Sequence, residues 1–247
     1  MHVIPIEGSY NARGFGRPDR PWLVRSAALD GLAPGGERAL RERGVDLVLD
    51  LREPGERAQP THGIRVRSLP LYGEVPPATG SLERIYTGLL TERGDRVAAA
   101  VSEIAEHPGT VVVHCTAGKD RTGLVVALAR LAAGEPRSEV TADYALSGAS
   151  VRPARAGIAA AQLDALDLTP AVRAEAERLH LDSPAEALEY ALELVDRLGG
   201  VDAYLIDRGA TPAQLAALAD RSADRTSDRT AARSADRTAA VLPEPVQ

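Results

Sequence analysis

The strongest strand signal in the chain is Thr110-Val111-Val112-Val113-His114, β-branched for most of its length and set off by His107-Pro108-Gly109. A run apolar at both odd and even positions predicts a strand buried on both faces. Val45-Asp46-Leu47-Val48-Leu49-Asp50-Leu51 reads as a second buried strand, and Trp22-Leu23-Val24-Arg25 as a short one. Ile64 and Val66 alternate with Arg65 and Arg67, which predicts a strand over 64–69. Between these lie helical patterns: 35–43, closed by Gly44 at the left-handed C′ position, then about 82–91 and 95–106. Residues 122–133 are helical, with Leu124, Val125, Leu128 and Leu131 as the buried stripe, and residues 1–21 read as an irregular opening segment.

After Thr141 only helical patterns remain, around 141–146, 155–166, 170–180, 184–198, 201–207 and 212–219. Two begin with capping boxes, Ser183-Pro184-Ala185-Glu186 and Thr211-Pro212-Ala213-Gln214. Strands alternating with helices, followed by helices alone, predict an α/β domain over 1–219 with a mostly parallel central sheet and an added helical cap. From 220 to 247, Asp-Arg pairs recur among Ser, Thr and Ala with no apolar face, which predicts a disordered tail.

Composition narrows the function classes. The 247 residues suffice for one substantial core, and with aromatics at only 3% that core must be Leu, Val, Ala and Ile. A net charge of −6 argues against nucleic acid as a partner. A single cysteine excludes an internal disulfide. No stretch approaches the length of a membrane span and no leader pattern opens the chain, so the expected location is cytoplasmic.

That single cysteine, Cys115, and the chain's single lysine, Lys119, fall in one segment: His114-Cys115-Thr116-Ala117-Gly118-Lys119-Asp120-Arg121-Thr122-Gly123. It joins the strongest strand to a helix, and a helix N-terminus offers unpaired N–H groups and a positive dipole end to an anion. The same field favours a cysteine thiolate, the form that attacks phosphorus. The backbone of Thr116, Ala117, Gly118 and Lys119 would wrap the phosphate, and Gly118 and Gly123 would let it turn tightly. Arg121 suits bidentate contact with two phosphoryl oxygens. Thr122 can donate to the sulfur as it leaves, and His114 can orient the loop through its ring N–H. A nucleotide-binding loop is excluded, because Val113 and Asp120 stand where that motif needs Gly and Ser or Thr.

The signature resembles that of the bacterial atypical tyrosine phosphatases, and the resemblance extends over about 11–219. It includes Asn11-Ala12-Arg13-Gly14-Phe15-Gly16, Val24-Arg25-Ser26, Asp50-Leu51-Arg52 with Glu56, Asp143-Tyr144, and Tyr204-Leu205 with Gly209, Thr211 and Pro212. Gly14 and Gly148 depart from the family pattern. The resemblance implies a cysteine-phosphatase-like fold, a helical lid over about 150–180, and phosphomonoester hydrolysis through a phosphocysteine with no cofactor. The expected partner is a phosphorylated protein or a phosphoinositide.

The leaving oxygen needs a general acid. Between Asp50 and the helix starting at 95 the chain has no Asp, so the candidates are Asp50, Asp120 and Glu74. Asp120 must lie near the phosphate if the loop closes, and the resemblance points to it and to Asp50. Equally, Asp50 can simply brace Arg52. Lys119 would either welcome a second phosphate or pair with a carboxylate on the loop rim. The alternative function is a catalytically weak phosphate-binding module, favoured by the missing upstream Asp. Arsenate reduction lacks resolving thiols here, and sulfur transfer lacks this loop.

Overall fold

The strand over Thr110–His114 lies inside the sheet of the computed structural model, which describes residues 1–221. Among the described residues, one sheet is built from β1 (His2–Val3), β2 (Arg13–Gly16), β3 (Pro21–Ser26), β4 (Val45–Asp50), β5 (Arg65–Ser68) and β6 (Thr110–His114). Their spatial order is β1-β2-β3-β6-β4-β5. Strands β3, β6, β4 and β5 run parallel, while β1 and β2 add an antiparallel edge. The opening segment is therefore not irregular throughout, as it contributes those two strands. Their signal was hidden because Arg13-Gly14-Phe15-Gly16 has neither an apolar run nor alternation.

Register explains the double burial. Val111 and Val113 face one side of the sheet with Leu23, Leu47 and Leu49; Val112 faces the other with Val24 and Val48. The second face is covered by α1 (Pro34–Glu42) through Leu40 and by Ile4, Ile6, Leu29 and Leu32. The first carries α2 (Leu82–Thr91), α3 (Gly94–Glu106), α4 (Asp120–Ala132) and α5 (Arg137–Ala145). Strand β5 is the exposed edge, with only Ile64 just before it buried. At the other end of the chain, α6 (Ser147–Asp164) and α7 (Pro170–Leu181) pair with each other, and α8 (Ala185–Arg197) and α9 (Val201–Asp207) return to the core.

Several boundaries differ from the sequence reading. The helix after the cysteine begins at Asp120, not 122, and the pattern around 141–146 becomes 137–145. Helix α6 begins at Ser147 rather than 155 and runs through Pro153. A proline normally stops a helix by removing an N–H; here the start is pinned upstream by Ser147, whose hydroxyl accepts from Arg13 and Arg25, both at 3.0 Å. The expected Ser183 capping box does not form. Ser183 Oγ instead accepts from Gly148 N (2.7 Å) and donates to Ala145 O (3.1 Å), tying α8 to the start of α6. The Thr211–Gln214 box does form, at 2.7 and 3.2 Å, and its helix continues through 221. No helix among the described residues is long and apolar enough to cross a membrane. The predicted tail lies, apart from residues 220 and 221, outside the described residues.

Candidate active site

Parallel register brings Ser26, His114 and Asp50 level at the C-terminal ends of β3, β6 and β4. In such sheets ligands bind beyond those ends. Cys115 is the next residue, and the chain from there to Asp120 forms a loop closed by α4.

Four successive carbonyls of this loop are each engaged from behind. Cys115 O lies 3.1 Å from His114 Nδ1, and Thr116 O accepts from Ala28 N at 3.2 Å. Asn11 Nδ2 donates to Ala117 O (3.2 Å) and Gly118 O (3.0 Å), and Arg25 adds a 2.8 Å bond to Gly118 O. In a trans peptide, C=O and the following N–H point to opposite sides. Outward carbonyls at 115–118 therefore aim the N–H groups of 116–119 the other way, which is what an anion cradle needs. Burial pushes the His114 imidazole below its ordinary value. It is then neutral, and since a carbonyl only accepts, Nδ1 carries the hydrogen.

Asn11 itself sits at φ 57°, a left-handed conformation that Asn tolerates better than most residues. Gly118 is also left-handed (φ 66°), and a Cβ there would lie 2.1 Å from Ser26 O. Gly118→Ala is therefore expected to disorder the loop, costing several kcal/mol in denaturant melts (about 1–3 for the backbone alone) together with phosphate binding. Gly123 serves a different purpose from the turn expected of it. It lies within α4, and a Cβ would sit 2.8 Å from the ring of Tyr144.

Behind the loop, Asp143 gathers three arginines: Arg13 at 2.5 Å, Arg25 at 2.8 Å and Arg130 at 3.6 Å, all nearly inaccessible to solvent. Burial alone would raise the Asp143 carboxyl, but Arg25, Arg13 and Arg130 outweigh it and hold it below the usual range. Its stabilising effect is complete above the unfolded-state value of about 4 and is lost as pH falls through the lower folded value. Asp143→Asn leaves the arginines facing one another, and a loss of about 3–5 kcal/mol is expected in urea unfolding at pH 7, shrinking toward acid pH.

In front, a cavity of about 470 Å³ opens over Cys115, Thr116, Ala117, Asp120 and Arg121. Its far wall comes from α6 and α7 (Arg155, Leu163, Leu179, His180), and its side from Tyr72 and Pro76 to Ala78. Helices α6 and α7, in the stretch where a lid was expected, thus form one wall of the cavity. Arg121 is oriented by Glu56 through two bonds of 2.6 and 2.7 Å and lies 4.7 Å over the Tyr72 ring. The Glu56 Oε1 atom also accepts from Thr116 Oγ1 at 2.5 Å. Burial alone would lower the guanidinium and raise the carboxyl, yet their pairing reverses both, so both stay charged. In the sequence Glu56 and Asn11 stand out only as motif positions, and nothing there assigns either a role. Their resemblance to family positions was the available signal.

For Lys119 and Asp50 the structure shows the second of the two placements left open by the sequence, and the bond expected of Thr122 is not formed. Lys119 does not reach the cavity. Its ammonium donates to Leu179 O (2.8 Å) and Asp182 O (2.6 Å) at the C-terminal end of α7 and pairs with Asp120 Oδ1 (2.9 Å). An ammonium has three donors, so none is left for a phosphate. Asp50 lies in a separate polar hollow with Asp30, Arg52, His62 and His114. Its carboxylate takes Arg52 N and Nε at 2.9 and 3.0 Å, and although burial would raise it, the hydrogen bonds and charge of Arg52 hold it low. It braces Arg52 and lies outside the cavity that Cys115 lines. Thr122 Oγ1 is buried but makes no hydrogen bond among the described residues, so the expected bond to the sulfur is not formed. Glu74 is exposed and outside the cavity wall. That leaves Asp120 as the carboxylate facing Cys115 besides Glu56, which Arg121 occupies.

A sheet that delivers a cysteine and an arginine to a ring of inward N–H groups at a helix N-terminus defines a cysteine-phosphatase-like fold. The chain belongs to the tyrosine phosphatase family, whose model matches residues 4–223. It is 29% identical to the triple specificity protein phosphatase PtpB of Mycobacterium tuberculosis, across 86% of this chain and 96% of that protein. It is 31% identical to a tyrosine-protein phosphatase of Nostoc commune over 51% of this chain and 48% of the relative. A putative tyrosine-protein phosphatase of Cupriavidus necator is 28% identical, over 77% and 72% of the two chains. The protein is accordingly a phosphatase.

Proposed function

We propose that the protein hydrolyses phosphotyrosine and related phosphomonoesters with Cys115 as nucleophile. The observation that carries this reading is the placement of Cys115, Asp120 and Arg121 in one cavity above four inward N–H groups. The Cys115 thiolate attacks phosphorus as the P–O bond to the leaving group breaks, giving a phosphocysteine. Arg121 and the N–H groups of 116–119 hold the non-bridging oxygens as charge redistributes. Asp120 gives its proton to the departing oxygen. Water then attacks phosphorus, Asp120 takes one of its protons, and the P–S bond breaks to regenerate the thiolate and release inorganic phosphate.

The alternative, a catalytically weak phosphate-binding module, rests on the missing upstream Asp. Asp120 on the cavity wall supports the hydrolase reading instead. Tyr72, Pro76, Pro77, Leu163 and Leu179 line the walls and suit an aryl group. The name of the mycobacterial relative gives that protein three specificities, which supports a broader substrate range here. If a second phosphate binds, the cavity cation it meets is Arg155 rather than Lys119. The test is a panel of phosphotyrosine and phosphoserine peptides and phosphoinositide vesicles at fixed pH. Preference for phosphotyrosine is expected, and no hydrolysis of any member would overturn the reading.

A further inference from the structure

Asp120 is held by groups that the chemistry above does not use. Its Oδ1 atom takes the Lys119 ammonium at 2.9 Å and the Tyr86 hydroxyl at 3.1 Å. Tyr86 OH lies 2.6 Å from Tyr144 OH, with the rings edge to face at 6.3 Å, and both side chains are buried. The direction of this chain follows from chemistry alone. A carboxylate only accepts, so Tyr86 donates to Asp120; its hydrogen is then spent, so Tyr144 donates to Tyr86. The three come from separate elements, α2, α4 and α5, and they meet because Gly123 leaves room for the Tyr144 ring.

We infer that Tyr144 and Tyr86 are positioning residues for the general acid: they commit Oδ1 of Asp120 to the interior and leave Oδ2 to carry the transferable proton toward the cavity. This rests on the reading of Asp120 as the acid. The relay acts twice. It fixes the rotamer of the carboxyl before reaction, and its hydrogen bond strengthens as the carboxylate forms. Other charged or titratable groups around Asp120 are Arg121, Cys115, Glu56 and Tyr72, with Arg155 and His180 on the opposite wall. None of these makes a hydrogen bond to Oδ1 among the described residues.

The experiment compares pH profiles of kcat and kcat/KM for wild type, Tyr86→Phe, Tyr144→Phe, the double variant and Asp120→Asn, with p-nitrophenyl and alkyl phosphates. Removing the Tyr86 donor makes Asp120 a weaker acid. Turnover of the alkyl ester is expected to fall about tenfold, with KM little changed, and the basic limb to move to higher pH. Tyr144→Phe should shift the limb the same way but less. The double variant should be no worse than Tyr86→Phe, because Tyr144 acts through Tyr86. Lower melting temperatures with unmoved limbs in both single variants would reduce the pair to packing and overturn the inference. So would losses that add in the double variant. An unimpaired Asp120→Asn would overturn the acid assignment and the relay together; an impaired Asp120→Asn beside unaltered tyrosine variants would overturn the relay alone.

Discussion

Cys115→Ser is expected to abolish hydrolysis of p-nitrophenyl phosphate, with a fall in kcat of about 10⁴-fold or more, while inorganic phosphate and substrate still bind. Removing a nucleophile from a covalent mechanism typically costs this much, since what remains is binding and electrostatics alone. A serine hydroxyl is far less acidic than a thiol and a poor nucleophile without a base to activate it, so the substitution removes nucleophilicity and little else. The cradle is independent of the sulfur, because its N–H groups are aimed by bonds to the carbonyls of 115–118 from Asn11, Arg25, Ala28 and His114. Stopped turnover with retained binding is therefore the specific signature. Equal p-nitrophenol release by both proteins would end the nucleophile assignment.

Asp120→Asn should lower kcat by about 10²–10⁴-fold for alkyl phosphates, with a smaller loss for p-nitrophenyl phosphate. The difference arises because nitrophenolate departs without much help, whereas an alkoxide needs a proton in the transition state. Asparagine keeps the size and can still accept from Tyr86, so the loop should hold its shape. The basic limb of the kcat profile should disappear, since it reports loss of the acid's proton. Asp50→Asn serves as the contrast. It breaks a buried brace on Arg52, so its damage should appear in denaturant stability, with the same loss for both leaving groups. A leaving-group dependence confined to Asp50→Asn would reverse the assignment.

Much of this was legible in the chain. Spacing from Cys115 to Arg121 sets the reaction class, because strand, loop and helix are contiguous and the physics of an anion at a helix N-terminus is local. The order of strands and helices likewise fixed the α/β class, since periodicity is a property of short segments. Lys119 was harder. Sequence places it beside Arg121, but which way its side chain turns depends on α7, some 60 residues later, whose terminal carbonyls claim it. Asp50 was undecided for the same reason. Its partner Arg52 is two residues away, yet whether the pair faces the cavity or the hollow beneath depends on the sheet.

By itself, then, the sequence placed the candidate nucleophile, the arginine and the loop between them, all within the seven residues from Cys115 to Arg121, together with the strand and helix that flank them. Tertiary structure alone decided what surrounds them. Glu56 orients Arg121 across 65 residues of chain, Asn11 holds loop carbonyls more than 100 residues away, and Tyr86 and Tyr144 converge on Asp120 from two helices. A local motif encodes chemistry because its atoms are covalently close. The orientation of those groups comes from contacts between distant segments, which no spacing in the chain records.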